Sequence, residues 1–431
     1  MISKLKISKF SPPRVDTPNI LMLLFLIATY IKWLCPIPGR IANICIAVTG
    51  AITFLYVFVK KHTDKNLWKV IIFGFFMSIC MTVTHFYNYN ADLKAVLWIW
   101  CYLGVMMLIC YFNIDSKWYM LFFYLCAAYF FVHMVMLTNI NTILYNTSRN
   151  GIPSLLMFPL CLYFLCKRAD EGLPYLPVVL FVTFSVWTLG RAGVLCALFL
   201  LLAVVGYNFF VHKKGNMISL VGNGIILCIL LVGLVTIWPT NNLNVTSQEE
   251  NASDLLYDQS VDILNGSIDN SETHEEQPDN NVIADTMGNS DETDFEPLTF
   301  IRKFTTQKFR TTRTVLYKEY FNQIIGTPLE LLFGATYSKG ELLSQYKNPH
   351  NTFLELHSKF GIMGFLAVMF LLLFAFIQKC KEKNGLWIII FFTVCIRTFF
   401  DWMAFPGLYD VLFWYFIFGD TLAARTGNEK V

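Results

Sequence analysis

Charge is scarce in this chain. Only 15% of its 431 residues are Asp, Glu, Lys or Arg, while 55% are hydrophobic and the mean hydropathy is +0.51. That composition excludes an ordinary soluble domain. Cysteine pairing is absent as well. The 12 Cys fall mostly inside apolar runs and none forms a CxxC pair, so they read as small core residues without a disulfide or metal framework. No small-residue cleavage site follows the first apolar run, which is therefore expected to stay as a helix. No internal repeat is visible, and the two-times-six symmetry of a common transporter architecture is missing. Lys and Arg are wholly lacking between Pro239 and Phe300, where fifteen Asp or Glu occur.

What the chain does have is apolar runs long enough to cross a bilayer. They lie near 18–34, 41–59, 68–86, 93–112, 117–137, 151–167, 174–190, 192–211, 217–238, 360–378, 385–404 and 407–424. Backbone groups in lipid must be satisfied within the segment, so helices are the expected form. The expected fold is an all-α polytopic membrane protein of about twelve spans. Lys and Arg set its orientation. With the N-terminus in the cytoplasm, the inner segments carry eighteen positive charges, while the short outer loops hold only Arg40, Lys94, Arg149 and Arg191. Both termini then lie inside, and one large extracytoplasmic loop separates spans nine and ten.

Four stretches follow from this reading. Residues 1–238 hold the first nine spans. Residues 239–300 form an acidic, solvated, disordered excursion. Glycosylation sequons in it, such as those at Asn251 and Asn265, are of a length that arises by chance. Residues 301–359 are basic, and Phe309, Val315, Leu316, Tyr320 and Ile324 have roughly helical spacing. An amphipathic helix is expected from about Arg302 to Ile325, ending at Gly326-Thr-Pro. It could rest on the bundle or on anionic headgroups. Residues 360–431 complete the bundle.

Few residues could carry chemistry. Arg191 is the only charge between the seventh and eighth runs, which almost abut at "TLGRAG". Gly190 and Gly193 are expected to make that turn possible. The plainer reading of Arg191 is a snorkelling side chain. Arg313 lies on the expected amphipathic helix, with Arg310 one turn before it. Asn348 can cap a helix and Pro349 suits its first position, which would put His350 in the first turn. Free N–H groups there keep an imidazole neutral and attract phosphate. Gly361 and Gly364 would let the chain bend into the next span. His357 is expected to pack or hydrogen-bond, since two His alone make a poor metal site. Arg397 and Asp401 are expected to pair inside the eleventh span, either functionally or as a clasp.

The stretch "PHNTFLELHSKFGIMG", with His350, Asn351, Gly361 and Gly364, resembles the signature of the O-antigen ligase and polymerase family. Arg191 at the outer end of a mid-chain span is similar to that family too, as is Arg313 four residues before Tyr317. The acidic insertion before Arg313 departs from the family pattern. The resemblance implies a metal-independent bacterial glycosyltransferase in the inner membrane, needing no cofactor. Its donor would be a polyprenyl-pyrophosphate-linked oligosaccharide. Such a donor arrives by membrane diffusion, so neither a nucleotide fold nor a metal-binding carboxylate motif is needed. His350 would be the base, and Arg191 and Arg313 would hold the pyrophosphate. Arg310, Tyr317, Asn351, Arg397 and Asp401 are secondary candidates. A chain-length regulator and a flippase of the same pathway are expected partners, and nucleic acid is not.

Polymerase is the first expectation and ligase the nearest alternative, because both would share fold and site. A transporter or flippase is the reading from another class. It would be expected to line its cavity with more intramembrane charge than Arg397 and Asp401.

Overall fold

A computed structural model describes residues 13–90, 93–136, 138, 140–145, 150–167, 172–188, 190–211, 221–227, 230 and 312–423. Among these residues there is no β-strand. The chain divides into two compact units, Asn241–Lys318 and the remainder. Of the smaller unit only residues 312–318 are described.

The larger unit opens with five helices: α1 (Thr17–Leu34), α2 (Gly39–Lys61), α3 (Lys65–Asn88), α4 (Ala95–Tyr111) and α5 (Ser116–Val135). Then come α6 (Gly151–Leu165), α7 (Tyr175–Trp187) and α8 (Arg191–Gly206). Helix α9 (Thr312–Gly326) begins in the smaller unit; α10 (Pro328–Phe333) and α11 (Glu341–Tyr346) follow it. The last three helices are α12 (Thr352–Lys381), α13 (Gly385–Phe399) and α14 (Asp410–Ala423).

Several start or stop for a local reason. Asp16, Asp64 and Asp115 cap α1, α3 and α5, accepting from the backbone N–H of Asn19, Asn66 and Lys117 at 2.9–3.1 Å. Helix α9 ends at Gly326, and Pro328 opens α10, as the Gly-Thr-Pro break implies. Six helices among the described residues are long and apolar enough to cross a membrane, and four shorter ones are apolar.

The exposed faces invert the pattern of a soluble protein. On α3 the exposed residues Ile72, Phe75, Ile79, Val83 and Phe86 recur at helical spacing. Met363, Leu366, Phe370 and Leu373 do the same on α12. Such continuous apolar stripes are faces made for lipid. Residues Cys101 to Tyr111 of α4 are buried on every side, so that helix is central.

The contacts sort helix ends into two sets. At one end, Asp64 accepts from the Tyr111 hydroxyl at 3.0 Å, and Asn66 donates to the Thr421 carbonyl at 2.8 Å. Lys379 pairs with Asp420 at 2.7 Å, and Arg14 donates to the Asn113 carbonyl at 2.6 Å. Lys60 and Lys61, on the last turn of α2, and Lys65 and Lys69, in the first two turns of α3, lie there too. At the other end sit the C-terminus of α3, the N-termini of α6 and α8, and the whole of 328–360. The Lys-rich end is the one expected to face the cytoplasm.

Two expected boundaries change, and two expected stretches lie outside the described residues. The eleventh run stops at Phe399 instead of continuing to 404, and the last helix begins at Asp410. The intervening residues form a loop stitched to α12, so they are no longer free to extend either helix. For the ninth run, only 221–227 and 230 lie among the described residues, all helical. The acidic stretch 239–300, and residues 302–311 of the expected amphipathic helix, lie outside them.

Candidate active site

Helix α12 does not start where the sequence suggests. Its N-cap is Asn351, whose side chain accepts from Phe353 and Leu354 N–H at 2.9 and 3.1 Å. His350 therefore precedes the helix and is not in its first turn. Asn348 makes a turn instead: its Oδ1 accepts from His350 N–H at 2.9 Å, and its Nδ2 donates to the Tyr346 carbonyl at 2.8 Å. Two Asn residues three apart can each cap; Asn351 prevails because its Nδ2 also donates to the Phe399 carbonyl, at 2.9 Å. His350 is left with φ of 48°, in the left-handed region. A β-carbon there is strained, and such strain persists where surrounding bonds hold it.

The imidazole meets a carboxylate. His350 Nδ1 lies 3.8 Å from Asp401 Oδ1, beyond a hydrogen bond but within electrostatic reach. The same Oδ1 accepts from Trp402 N–H at 2.9 Å. Asp401 Oδ2 accepts from Arg397 Nη2 at 3.1 Å. Arg397 is 1% exposed and also donates from Nε to Ser154 Oγ at 3.0 Å and from Nη2 to the Asn150 carbonyl at 2.8 Å. The expected Arg397–Asp401 pair therefore forms, with Arg397 in the last turn of α13. It closes the C-terminal end of α13, with Asp401 in the loop beyond. Thr352 finishes the join, donating to the Asp401 carbonyl at 2.8 Å and accepting from Met403 N–H at 3.1 Å.

Asn150 brings in α8. A Cβ on Gly190 would stand 3.0 Å from Asn150 Oδ1, and one on Gly193 would stand 2.7 Å from Pro153 Cγ. Gly190 has φ of −71°, which any residue adopts. Both glycines serve close approach to α6, not the bend proposed from sequence. Arg191 is the first residue of α8, next to Gly190. Its backbone thus begins at the end of the bundle that holds Asn150, Arg397, Asp401 and His350. Its side chain lies outside the described residues.

Arg313 is half-buried on α9 and Tyr317 follows one turn later, both in the smaller unit. Arg310 lies outside the described residues.

A second polar cluster escapes sequence reading. Glu355 is fully buried, accepts from the Tyr337 hydroxyl at 2.5 Å and pairs with Lys359. Burial, then the Glu355 charge, holds the Tyr337 hydroxyl well above its usual range. The Lys359 ammonium stands 4.3 Å from the Trp402 ring centre. His357 is buried too; its Nε2 faces the Leu331 carbonyl at 2.8 Å and its Nδ1 the Tyr320 hydroxyl at 2.8 Å. It packs and hydrogen-bonds, as expected. Asn88 donates to the carbonyls of Phe333 and Ser358, both at 2.7 Å, tying α3 to this segment. The signal for Glu355 and Lys359 was their i,i+4 spacing, which on a helix usually marks an exposed pair. Among the described residues, no three of His, Cys, Asp and Glu come together as a metal could require.

Gly361 breaks α12 just beyond this cluster, with φ of 63° and ψ of −177°. A Cβ there would stand 2.6 Å from the Leu332 carbonyl. The glycine lets α10 seat its backbone on α12 and turns 352–360 away from the spanning part.

Residues 176–369 match the O-antigen ligase family model. Over these residues the chain is similar to that family. The match runs from α7 to just past the break at Gly361, so it takes in Arg191, Arg313 and His350. Arg397 and Asp401 lie beyond it. No curated protein and no solved structure matches the chain.

Proposed function

We propose that this protein is a membrane glycosyltransferase that joins lipid-linked oligosaccharides into a surface polysaccharide. The donor is a glycan on a polyprenyl pyrophosphate, and the reaction takes place at the outer face of the inner membrane. The observation that carries the reading is the His350–Asp401–Arg397 chain, built at the opposite end of the bundle from Lys60, Lys61, Lys65 and Lys69.

Chemistry follows from that chain. A carboxylate beside Nδ1 favours the tautomer with its proton there, leaving Nε2 free as a base. Nε2 takes the proton of an acceptor sugar hydroxyl. The hydroxyl oxygen attacks the anomeric carbon, and the bond to the phosphate oxygen breaks. The pyrophosphate departs with the electron pair, and the anomeric configuration inverts. Asp401 stabilises the positive charge gained by the imidazole; Arg397 fixes the carboxylate and keeps it from rotating away. Arg191, and Arg313 from the family resemblance, are proposed to bind the leaving pyrophosphate, since guanidinium makes paired bonds to phosphate oxygens.

Polymerase is favoured over ligase because polymerases are many and divergent. Deleting the gene and separating the surface glycan by size tests this. Single repeat units on the surface fit a polymerase, and loss of all attached glycan fits a ligase. Normal polymer in a His350→Ala strain with wild-type protein levels would refute catalysis at this site. Retention of anomeric configuration in the product linkage would refute single displacement.

A further inference from the structure

Two partly exposed aromatic residues adjoin the His350–Asp401 pair, Tyr346 through its ring and Trp402 through its backbone. Tyr346 is the last residue of α11 and is 37% exposed. Its ring meets the His350 ring edge-on, with centres 5.5 Å apart and planes at 72°. Asn348 holds both residues, accepting from one backbone and donating to the other.

Trp402 follows Asp401 directly and is 39% exposed. Its backbone N–H binds the carboxylate oxygen nearest His350. One face of its ring is taken by the Lys359 ammonium at 4.3 Å. That lysine is itself buried and anchored to Glu355. The ring is thus fixed from behind by a buried ion pair, and its exposed area belongs to the other face and edges. An interfacial anchor needs no such fixing, because a tryptophan in a headgroup belt tolerates many orientations.

We propose that Trp402 and Tyr346 form a carbohydrate-stacking subsite that orients pyranose rings of the reacting glycans beside His350. This deepens the glycosyltransferase reading and rests on it. A pyranose presents a face of C–H bonds, which packs on an aromatic ring, while its hydroxyls stay free to bond at the edges. A rigid, partly exposed ring next to an acid–base pair suits that shape. The two rings lie on separate segments, so each can serve a different sugar, one from the donor and one from the acceptor.

The test uses the full-length protein in lipid nanodiscs. Its substrate is the lipid-linked oligosaccharide extracted from cells lacking the gene. Trp402→Leu keeps an apolar side chain at the interface but removes the ring, and should raise KM about tenfold with kcat within about twofold. Trp402→Phe should recover most of that loss. Tyr346→Leu should raise KM by a similar factor. Unchanged KM in Trp402→Leu, even with a lowered melting temperature, would overturn the subsite and leave an interfacial anchor. If Trp402→Leu does not fold, Tyr346→Leu decides, and unchanged KM there overturns the proposal. His350→Ala is run alongside. If the unmutated protein shows no turnover, the glycosyltransferase reading fails; if His350→Ala retains turnover, the assignment of His350 fails; if His350→Ala is inactive while both ring variants keep normal KM, only the subsite fails.

Discussion

His350 and Asp401 face each other across a helix boundary, with Nδ1 3.8 Å from Oδ1. The carboxylate is held on its far side by Arg397, which is buried among α6 and α13. In the proposed mechanism the imidazole works through its charge partner. Asp401→Asn keeps the shape and most hydrogen bonds but loses the charge. Turnover should fall by roughly two orders of magnitude at unchanged protein level. The check is polymer formed per unit of purified protein. Activity within about twofold of wild type would remove Asp401 from the mechanism.

Gly361 has a conformation that only glycine holds easily, and the Leu332 carbonyl occupies the space a side chain would need. Gly361→Ala should destabilise the protein by about 2–3 kcal/mol, combining backbone strain with displacement of α10. Thermal unfolding in detergent measures this. Gly326→Ala, where an added Cβ meets nothing within 4 Å, serves as comparison. The melting temperature should fall clearly further for Gly361→Ala; an equal shift in both would deny the break its structural role.

Much of the fold was legible because bilayer thickness fixes span length. The ends of α2, α3, α8 and α12 carry charges or caps that mark them in sequence. The register at Asn348–Asn351 was not legible. Local rules allow either Asn to cap, and the choice falls to a bond from Asn351 to Phe399, far away in the chain. His350 and Asp401 were each visible as polar residues at helix ends, yet no local pattern could pair them. Glu355 and Lys359 resemble a surface pair at helical spacing, and only the packing of Tyr337 and Trp402 over them makes them buried. Gly190 and Gly193 were noticed for the wrong cause, since contact with α6 appears only in three dimensions.

His357 supplies a pH prediction. It precedes the break at Gly361 and so lies outside the spanning part of α12. Burial lowers its pKa, partly offset by the bond to Leu331. Below its unfolded value the unfolded chain binds the proton more readily than the folded one. Stability is therefore full above about pH 6.5 and lost as the pH falls. The melting temperature should drop between pH 7.5 and 5.5, and His357→Gln should flatten that dependence. An equally steep profile in the variant would assign the acid sensitivity elsewhere.

Lys359 and Glu355 form an ion pair whose side chains are 8% and 0% exposed. Breaking such a pair from one side leaves a charge without its partner, at about 3–5 kcal/mol. Lys359→Met should therefore destabilise strongly. The double variant Glu355→Gln, Lys359→Met removes both charges together, and Tyr337 keeps a hydrogen-bond acceptor in the amide oxygen. It should melt well above the Lys359→Met single variant, the coupling expected of contacting residues. Additive losses would mean that Glu355 and Lys359 are stabilised independently, by Tyr337 and by the Trp402 ring. In that case Lys359 would hold the ring without help from the carboxylate, and Glu355→Gln alone should leave the melting temperature near wild type.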